Sequence, residues 1–171
     1  LGQSAAVLAN GPRWHLVGNV LRDNHALGAL LSASDGSVVE GNVIAGNGQL
    51  GLGQHDSQNV LVKGNTITGN NTEGFWIADW ESGGFKATKS SSVFAGNTVS
   101  GNLGVGVWLD VDCKGVTVED NVIADNAADG IRFEISYDGV IRRNKVTGNG
   151  FGMGRGGGTS IYATAGINSN S

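Results

Sequence analysis

One cysteine, one proline and one methionine in 171 residues set the first limits on this chain. A lone Cys113 cannot close an internal disulfide, so the fold is held by its core and its backbone rather than by covalent staples. A lone Pro12 leaves nearly every backbone N–H free to donate. No apolar stretch approaches the roughly 20 residues a membrane-spanning helix needs, so membrane insertion is not expected. Basic residues are few: 11 Lys and Arg face 15 Asp and Glu, for a net charge of −4 and no basic run. Sequence-independent nucleic-acid binding is therefore not expected either. A helical pattern is also missing, because the glycines interrupt any 3.6-residue periodicity. No signal sequence opens the chain, which starts at Leu1; it reads as a processed product or a piece of a longer protein, expected to continue beyond both ends.

What is abundant is glycine, with 30 residues, and paired asparagine. Six pairs recur, the two members five positions apart: Asn19/Asn24, Asn42/Asn47, Asn65/Asn70, Asn97/Asn102, Asn121/Asn126 and Asn144/Asn149. First members lie 23, 23, 32, 24 and 23 residues apart, which is one structural unit repeated. Three residues before each first member stands an apolar residue (Leu16, Val39, Val62, Phe94, Val118, Ile141), and two residues after stands another (Leu21, Ile44, Ile67, Val99, Ile123, Val146). Nine residues after lies a glycine column, read as Gly28, Gly51, Gly74, Gly106 and Gly130, followed by alternating apolar positions in which Gln54 is the exception. Short period-2 segments rich in Val and Ile, cut by Gly and Asn, are strands.

Three short strands per 23 residues predict an all-β fold: a right-handed, single-stranded parallel β-helix of about six to seven rungs. It would form one domain over residues 1–171, with no sizeable helix. Each rung buries its apolar face against the next. The asparagines suit left-handed corners and can hydrogen-bond up and down the stack, so they read as scaffold. Open rung ends are unpaired sheet edges and invite self-association.

With the asparagines assigned to the scaffold, the outward residues of the strand after the glycine column carry the remaining signal. They begin bland, with Leu30, Ser32 and Ser34, and end with Trp76 and Trp80, then Trp108, Asp110 and Asp112, then Arg132, Glu134 and Ser136. Asp110 and Glu134 fall on adjacent rungs, about 5 Å apart at the backbone. Like charges at that spacing need a shared proton or a compensating cation. Lys86 and Arg132 are the candidates from the chain, and Asp110, Asp112 and Glu134 together suit a calcium ion. Residues 81–90 read as a loop excursion leaving Trp80, which would place Glu81 and Lys86 over the cleft. Trp76, Trp80 and Trp108 offer flat faces to sugar rings, and His55 lies at the cleft margin. Asp56, next to His55, points to the opposite face and cannot orient it. The tract Gly152-Met-Gly-Arg-Gly-Gly-Gly158 lacks the strand–loop–helix setting of a phosphate cradle and reads as a loop.

The segments Trp80-Glu-Ser-Gly-Gly-Phe-Lys86, Trp108-Leu-Asp-Val-Asp112 and Gly130-Ile-Arg-Phe-Glu-Ile-Ser-Tyr137 resemble the secreted bacterial right-handed parallel β-helix repeat proteins, a pectate-lyase-like superfamily. The resemblance implies extracellular or cell-surface work on a polysaccharide. Asp110, Asp112, Glu134, Lys86 and Arg132 would form the catalytic set, and Trp76, Trp80, Glu81, Trp108 and His55 would bind substrate. If the substrate is a uronate, calcium and the carboxylates would neutralise its acid while Lys86 or Arg132 takes the C5 proton; if the reaction is hydrolysis, two carboxylates serve as acid and base. The chain departs from the named enzymes: it has no Gly-His-Gly element of polygalacturonases and no Asp-Pro-His motif of alginate epimerases. The rival expectation is a non-catalytic rod, adhesin or fibre segment.

Overall fold

A computed structural model describes residues 4–74, 77 and 81–150, together with the backbone of residues 161–165. The described chain is an all-β parallel solenoid of about six turns, with no helix among the described residues. Three sheets run along it. The first holds β1 (Ala5–Asn10), β4 (Leu27–Ser32), β7 (Leu50–His55), β10 (Gly83–Thr88), β13 (Val105–Asp110), β16 (Ile131–Ser136) and β19 (Ile161–Ala165). The second holds β2 (His15–Val17), β5 (Val38–Glu40), β8 (Val60–Lys63), β11 (Ser92–Ala95), β14 (Thr117–Glu119) and β17 (Val140–Arg142). The third holds β3 (Val20–Arg22), β6 (Val43–Ala45), β9 (Thr66–Thr68), β12 (Thr98–Ser100), β15 (Val122–Ala124) and β18 (Lys145–Thr147). Every described pairing is parallel.

The two asparagine columns are buried ladders with a fixed direction. From the second pair onward, each Oδ1 accepts two bonds from the asparagine one rung earlier: Asn70 Oδ1, for example, receives Asn47 N at 3.0 Å and Asn47 Nδ2 at 2.9 Å. From the second pair onward, each Nδ2 also donates to a backbone carbonyl on the preceding rung, as Asn97 does to Val62 at 3.0 Å. The corner strain does not fall on these residues. It is the residue before each of them that adopts positive φ: Gly41, Gly64 and Gly96 in the first column and Gly46, Gly69 and Gly101 in the second, with Asp120 and Asp125 taking over one rung later. The expectation that the asparagines themselves sit in the left-handed region is thus corrected: a side chain tied into the ladder needs an ordinary backbone.

The glycine column runs Gly28, Gly51, Gly84, Gly106 and Gly130, not through Gly74, because Phe85 pairs with Leu52 on one side and Val107 on the other. A Cβ at Gly84 would stand 2.5 Å from the Gly106 carbonyl oxygen, so the column is glycine by necessity. This register overturns the reading of 81–90 as a loop. Residues 83–88 are β10, a full member of the first sheet, and the extra residues are inserted before it, around 72–82. Trp76 and Trp80 fall in that segment and lie outside the described residues. The 152–158 tract does too; beyond it, Ile161 pairs with Ile131.

A corner residue with positive φ ends the long strand on each rung: Ala33, Asp56, Lys89 and Ile135 singly, and Val111 with Asp112 as a pair. That corner turns Ser34, Ser57 and Ser136 inward, where they are buried instead of lining the outer wall. There they make a third ladder with Ser90: Ser34 N donates to Ser57 Oγ at 2.9 Å and Ser57 N to Ser90 Oγ at 3.1 Å. Cys113 takes the next place, its N–H donating to Ser136 Oγ at 3.2 Å. The remaining interior is apolar, with Phe85 and Phe94 stacked at 4.8 Å. Gln54 enters this core and spends its amide on the Ser57 carbonyl at 2.9 Å.

Candidate functional site

The outer face of the first sheet changes character along the solenoid. In the register column that begins Leu30 and Gly53, the next residues are Lys86, Trp108 and Arg132. Two positions further along lie Ser32, His55, Thr88 and Asp110, followed by Glu134 on the next rung. The sheet therefore gathers Lys86, Trp108, Asp110, Arg132 and Glu134 on three consecutive rungs. Residues scattered over nearly 50 positions meet because the strands are parallel and in register.

Lys86 is the hub. Its side chain is 5 % exposed, it is ion-paired with Glu81, and its Nζ lies 3.1 Å from Asp110 Oδ2. The same Nζ stands 3.7 Å from the centre of the Trp108 ring. Arg132, one rung on, places its guanidinium carbon 4.7 Å from that ring. Its Nε and Nη2 both reach Asp129 Oδ2, at 2.8 and 2.6 Å. The Trp108 indole N–H donates to Glu134 Oε1 at 2.8 Å. Two cations flanking one indole in a desolvated place is a strong cation–π arrangement, worth about 0.5–2 kcal/mol per contact.

This burial corrects one expectation. Trp108 is 6 % exposed and packs with Val105 and Ala128, so its faces are covered by protein and are not open to a sugar ring. Exposed apolar surface near the carboxylates comes instead from Ile135 and Tyr137 on the following rung. The acids are reachable to different degrees: Asp110 is 13 % exposed, Glu81 35 %, Glu134 intermediate and Asp112 exposed.

Asp112 does not share the column of Asp110. The corner after β13 holds two residues, Val111 and Asp112, where the other rungs hold one, and both have positive φ (42° and 58°). The extra residue shifts the register, so that Lys114 pairs with Tyr137 while Trp108 pairs with Arg132. A β-branched residue in the left-handed region is a strained placement, and Val111, between Asp110 and Asp112, and Ile135, next to Glu134, both show it.

Calcium does not fit these acids as they stand. Among the described residues no group of three or more His, Cys, Asp or Glu is arranged to hold a metal ion. Asp110 is committed to Lys86, Glu134 to Trp108, and Asp112 stands round the corner.

Two residues escaped the reading of the sequence. Thr88 presents its hydroxyl to His55 Nδ1 at 2.8 Å and lies in register with Asp110, so His55, Thr88 and Asp110 form a polar strip at the lip. Finding it needed β10 in the right place. Asp129 was legible as the carboxylate three residues before Arg132, the spacing at which it pairs. His55 is exposed, and the neighbouring Asp56 occupies the corner at φ 45° without orienting it. Beneath the lip, burial pushes the Cys113 thiol up from its ordinary value, against the opposing effect of backbone hydrogen bonds at Ser90 and Asp110.

No helix among the described residues is long and apolar enough to cross a membrane. No curated protein and no solved structure matches the chain. The sequence does match the profile of the right handed beta helix region over residues 5–171, nearly its whole length. With parallel strands, three sheets and stacked asparagine corners already in place, the chain belongs to the right-handed β-helix family.

Proposed function

We propose that this is an extracellular carbohydrate-binding and carbohydrate-processing β-helix whose ligand lies on the outer wall of the first sheet, against Asp110, Glu134 and Asp112. One observation carries the reading: carboxylates on adjacent rungs are held from the neighbouring column of the same outer face by the largely covered Lys86, Trp108 and Arg132. Such a supporting row fixes the reach and orientation of the groups beside it, as a functional site requires.

In this reading Asp110 and Glu134 are the acid–base pair. Lys86 and Arg132, each gripped by carboxylates, act as positioning residues, with Glu81 locking Lys86. The strip of His55 and Thr88 extends the lip along the solenoid, and Ile135 and Tyr137 supply apolar contact. The family is one of β-helix proteins in which carbohydrate chemistry is common, and the site is of the kind such chemistry uses.

The test is a screen of glycans for turnover, read as new reducing ends and as absorbance from unsaturated products. For any glycan that is turned over, Asp110→Asn and Glu134→Gln should each lower kcat by about 10²-fold or more, with the solenoid's circular dichroism unchanged. Amide variants that retain full rate would remove these two residues from the chemistry.

A second reading, a non-catalytic rod, is favoured by the two continuous asparagine ladders, which stiffen the solenoid end to end. No turnover and no binding across neutral, amino and acidic glycans would decide for it.

A further inference from the structure

We infer that the core of the solenoid binds one internal water molecule, which bridges the side chains of Gln54 and Ser92. The place lies inside the coil and is independent of the outer wall described above.

Three residues depart from their columns at the same spot. Gln54 follows Leu31 in an inward column of the first sheet, and Ala87 and Leu109 come after it. Ser92 stands between Val60 and, in the register set by Val93 and Thr117, Val116. Ala87, on the same rung as Ser92, is shorter than both of its column neighbours. Leu31, Val60, Ala87, Leu109 and Val116 all belong to the apolar core, while Gln54 is 2 % and Ser92 3 % exposed. A long polar side chain, a hydroxyl and a short side chain thus meet in an otherwise apolar interior.

The Gln54 amide has one workable orientation. Its nitrogen lies 2.9 Å from the Ser57 carbonyl oxygen and 3.3 Å from that of Ser91. Carbonyls accept and do not donate, so the nitrogen must face them and Oε1 must face away. The Ser57 carbonyl also takes the Ser91 N–H, and the Ser91 carbonyl takes that of Val60, each at 3.2 Å. The amide is therefore held at the corner that leads directly into Ser92. Among the described residues nothing donates to Gln54 Oε1, Ser92 Oγ has no partner, and the two make no bond with each other.

Leaving two buried polar atoms unmatched is costly. A water molecule resolves both, donating to Oε1 and either donating to or accepting from Oγ. A metal ion does not suit the place: a hard cation such as calcium takes about six to eight oxygen ligands, and it would bring an unpaired charge into an apolar core.

The experiment is crystallography of the intact chain and of Ser92→Val, which gives the column a further valine. The wild type is expected to show a solvent peak about 2.7–3.2 Å from both Oε1 and Oγ, and the variant to lack it. A dry interior there, or Ser92 Oγ bonded directly to Gln54 Oε1, overturns the inference. Thermal unfolding gives a second reading that needs no crystal. In the wild type Ser92→Val strands Oε1; in a Gln54→Leu background, where leucine matches Leu31 and Leu109, there is no Oε1 to strand. The Tm change on Ser92→Val should therefore be more favourable in the Gln54→Leu background by about 2–12 °C. Equal changes in the two backgrounds overturn the inference as well.

Discussion

Replacing Lys86 with methionine isolates the central interaction of the site. The methionine side chain has similar length and remains able to pack against Trp108, so the change removes a charge more than a volume. What it leaves behind is Asp110, 13 % exposed, with its partner 3.1 Å away deleted. Removing one member of a buried ion pair costs about 3–5 kcal/mol. The lower end applies here, because Glu81 is 35 % exposed and can turn to water for solvation. The lost cation–π contact, at 3.7 Å, adds about 0.5–2 kcal/mol. A net loss of about 3.5–5 kcal/mol in a chain of this length lowers Tm by about 7–20 °C. Differential scanning calorimetry and urea unfolding of Lys86→Met measure it. The companion double variant Lys86→Met/Asp110→Leu should recover most of the loss, since replacing both partners by apolar groups removes the stranded charge. A single variant within about 1 kcal/mol of the wild type would mean the cluster is as solvent-screened as a surface pair, and the supporting row beside the carboxylates would have no energetic basis.

Two further expectations test the scaffold and its pH response. Asn70→Asp keeps the oxygen that Asn47 uses but removes the donors to Asn102 Oδ1 and the Ile44 carbonyl, leaving a buried charge against two acceptors. It should cost about 3 kcal/mol or more, whereas Asn19→Asp, at an exposed rung, should cost about 1 kcal/mol; urea unfolding giving equal losses would contradict the ladder. Cys113→Ser places the hydroxyl of its column neighbours Ser90 and Ser136 in a serine ladder and should lie within about 1 kcal/mol of wild type at pH 7. Because burial raises the folded thiol above its ordinary 9.0, the wild type holds that contribution below pH 9 and loses it as pH climbs from 9 toward the folded value. The serine variant lacks this loss, so the stability difference between the two proteins should grow in the variant's favour between pH 7 and pH 10, and a constant difference would refute it.

How far the sequence could be read depended on whether a residue repeats. Asn42, Asn65 and Asn97 recur with their apolar neighbours, and that recurrence alone led to a parallel solenoid. The insertion was different. Gly74 and Gly84 are each followed by phenylalanine and an alternating partner, so spacing could not say which belongs to the column. A signal was present in Ser34, Ser57, Ser90 and Ser136, each six residues after its glycine. Starting from Gly84, Ser90 falls in step; starting from Gly74, the sixth residue is Trp80. Reading that serine column would have made 83–88 a strand and moved Lys86 from a loop into the wall. Asp110, Glu134, Lys86 and Arg132 were legible as neighbours, yet the covered face of Trp108 was not. Alternation says which side of a sheet a residue faces; it does not say what lies over it.

By itself, the sequence determined what depends on an unbroken period: the strand class, the rung, the asparagine columns, the glycine column outside the insertion and the gathering of charge toward the later rungs. These follow from local sterics and from apolar residues returning at fixed intervals, and both are written in residue order. Only the tertiary structure decided the rest. The true place of β10, the extra residue at Val111–Asp112 that parts Asp112 from Asp110, and the reach of Lys86 to Asp110 and Trp108, 3.1 and 3.7 Å away, all depend on contacts between different rungs. Such distances are set by packing between neighbours far apart in the chain, and no spacing within one strand encodes them.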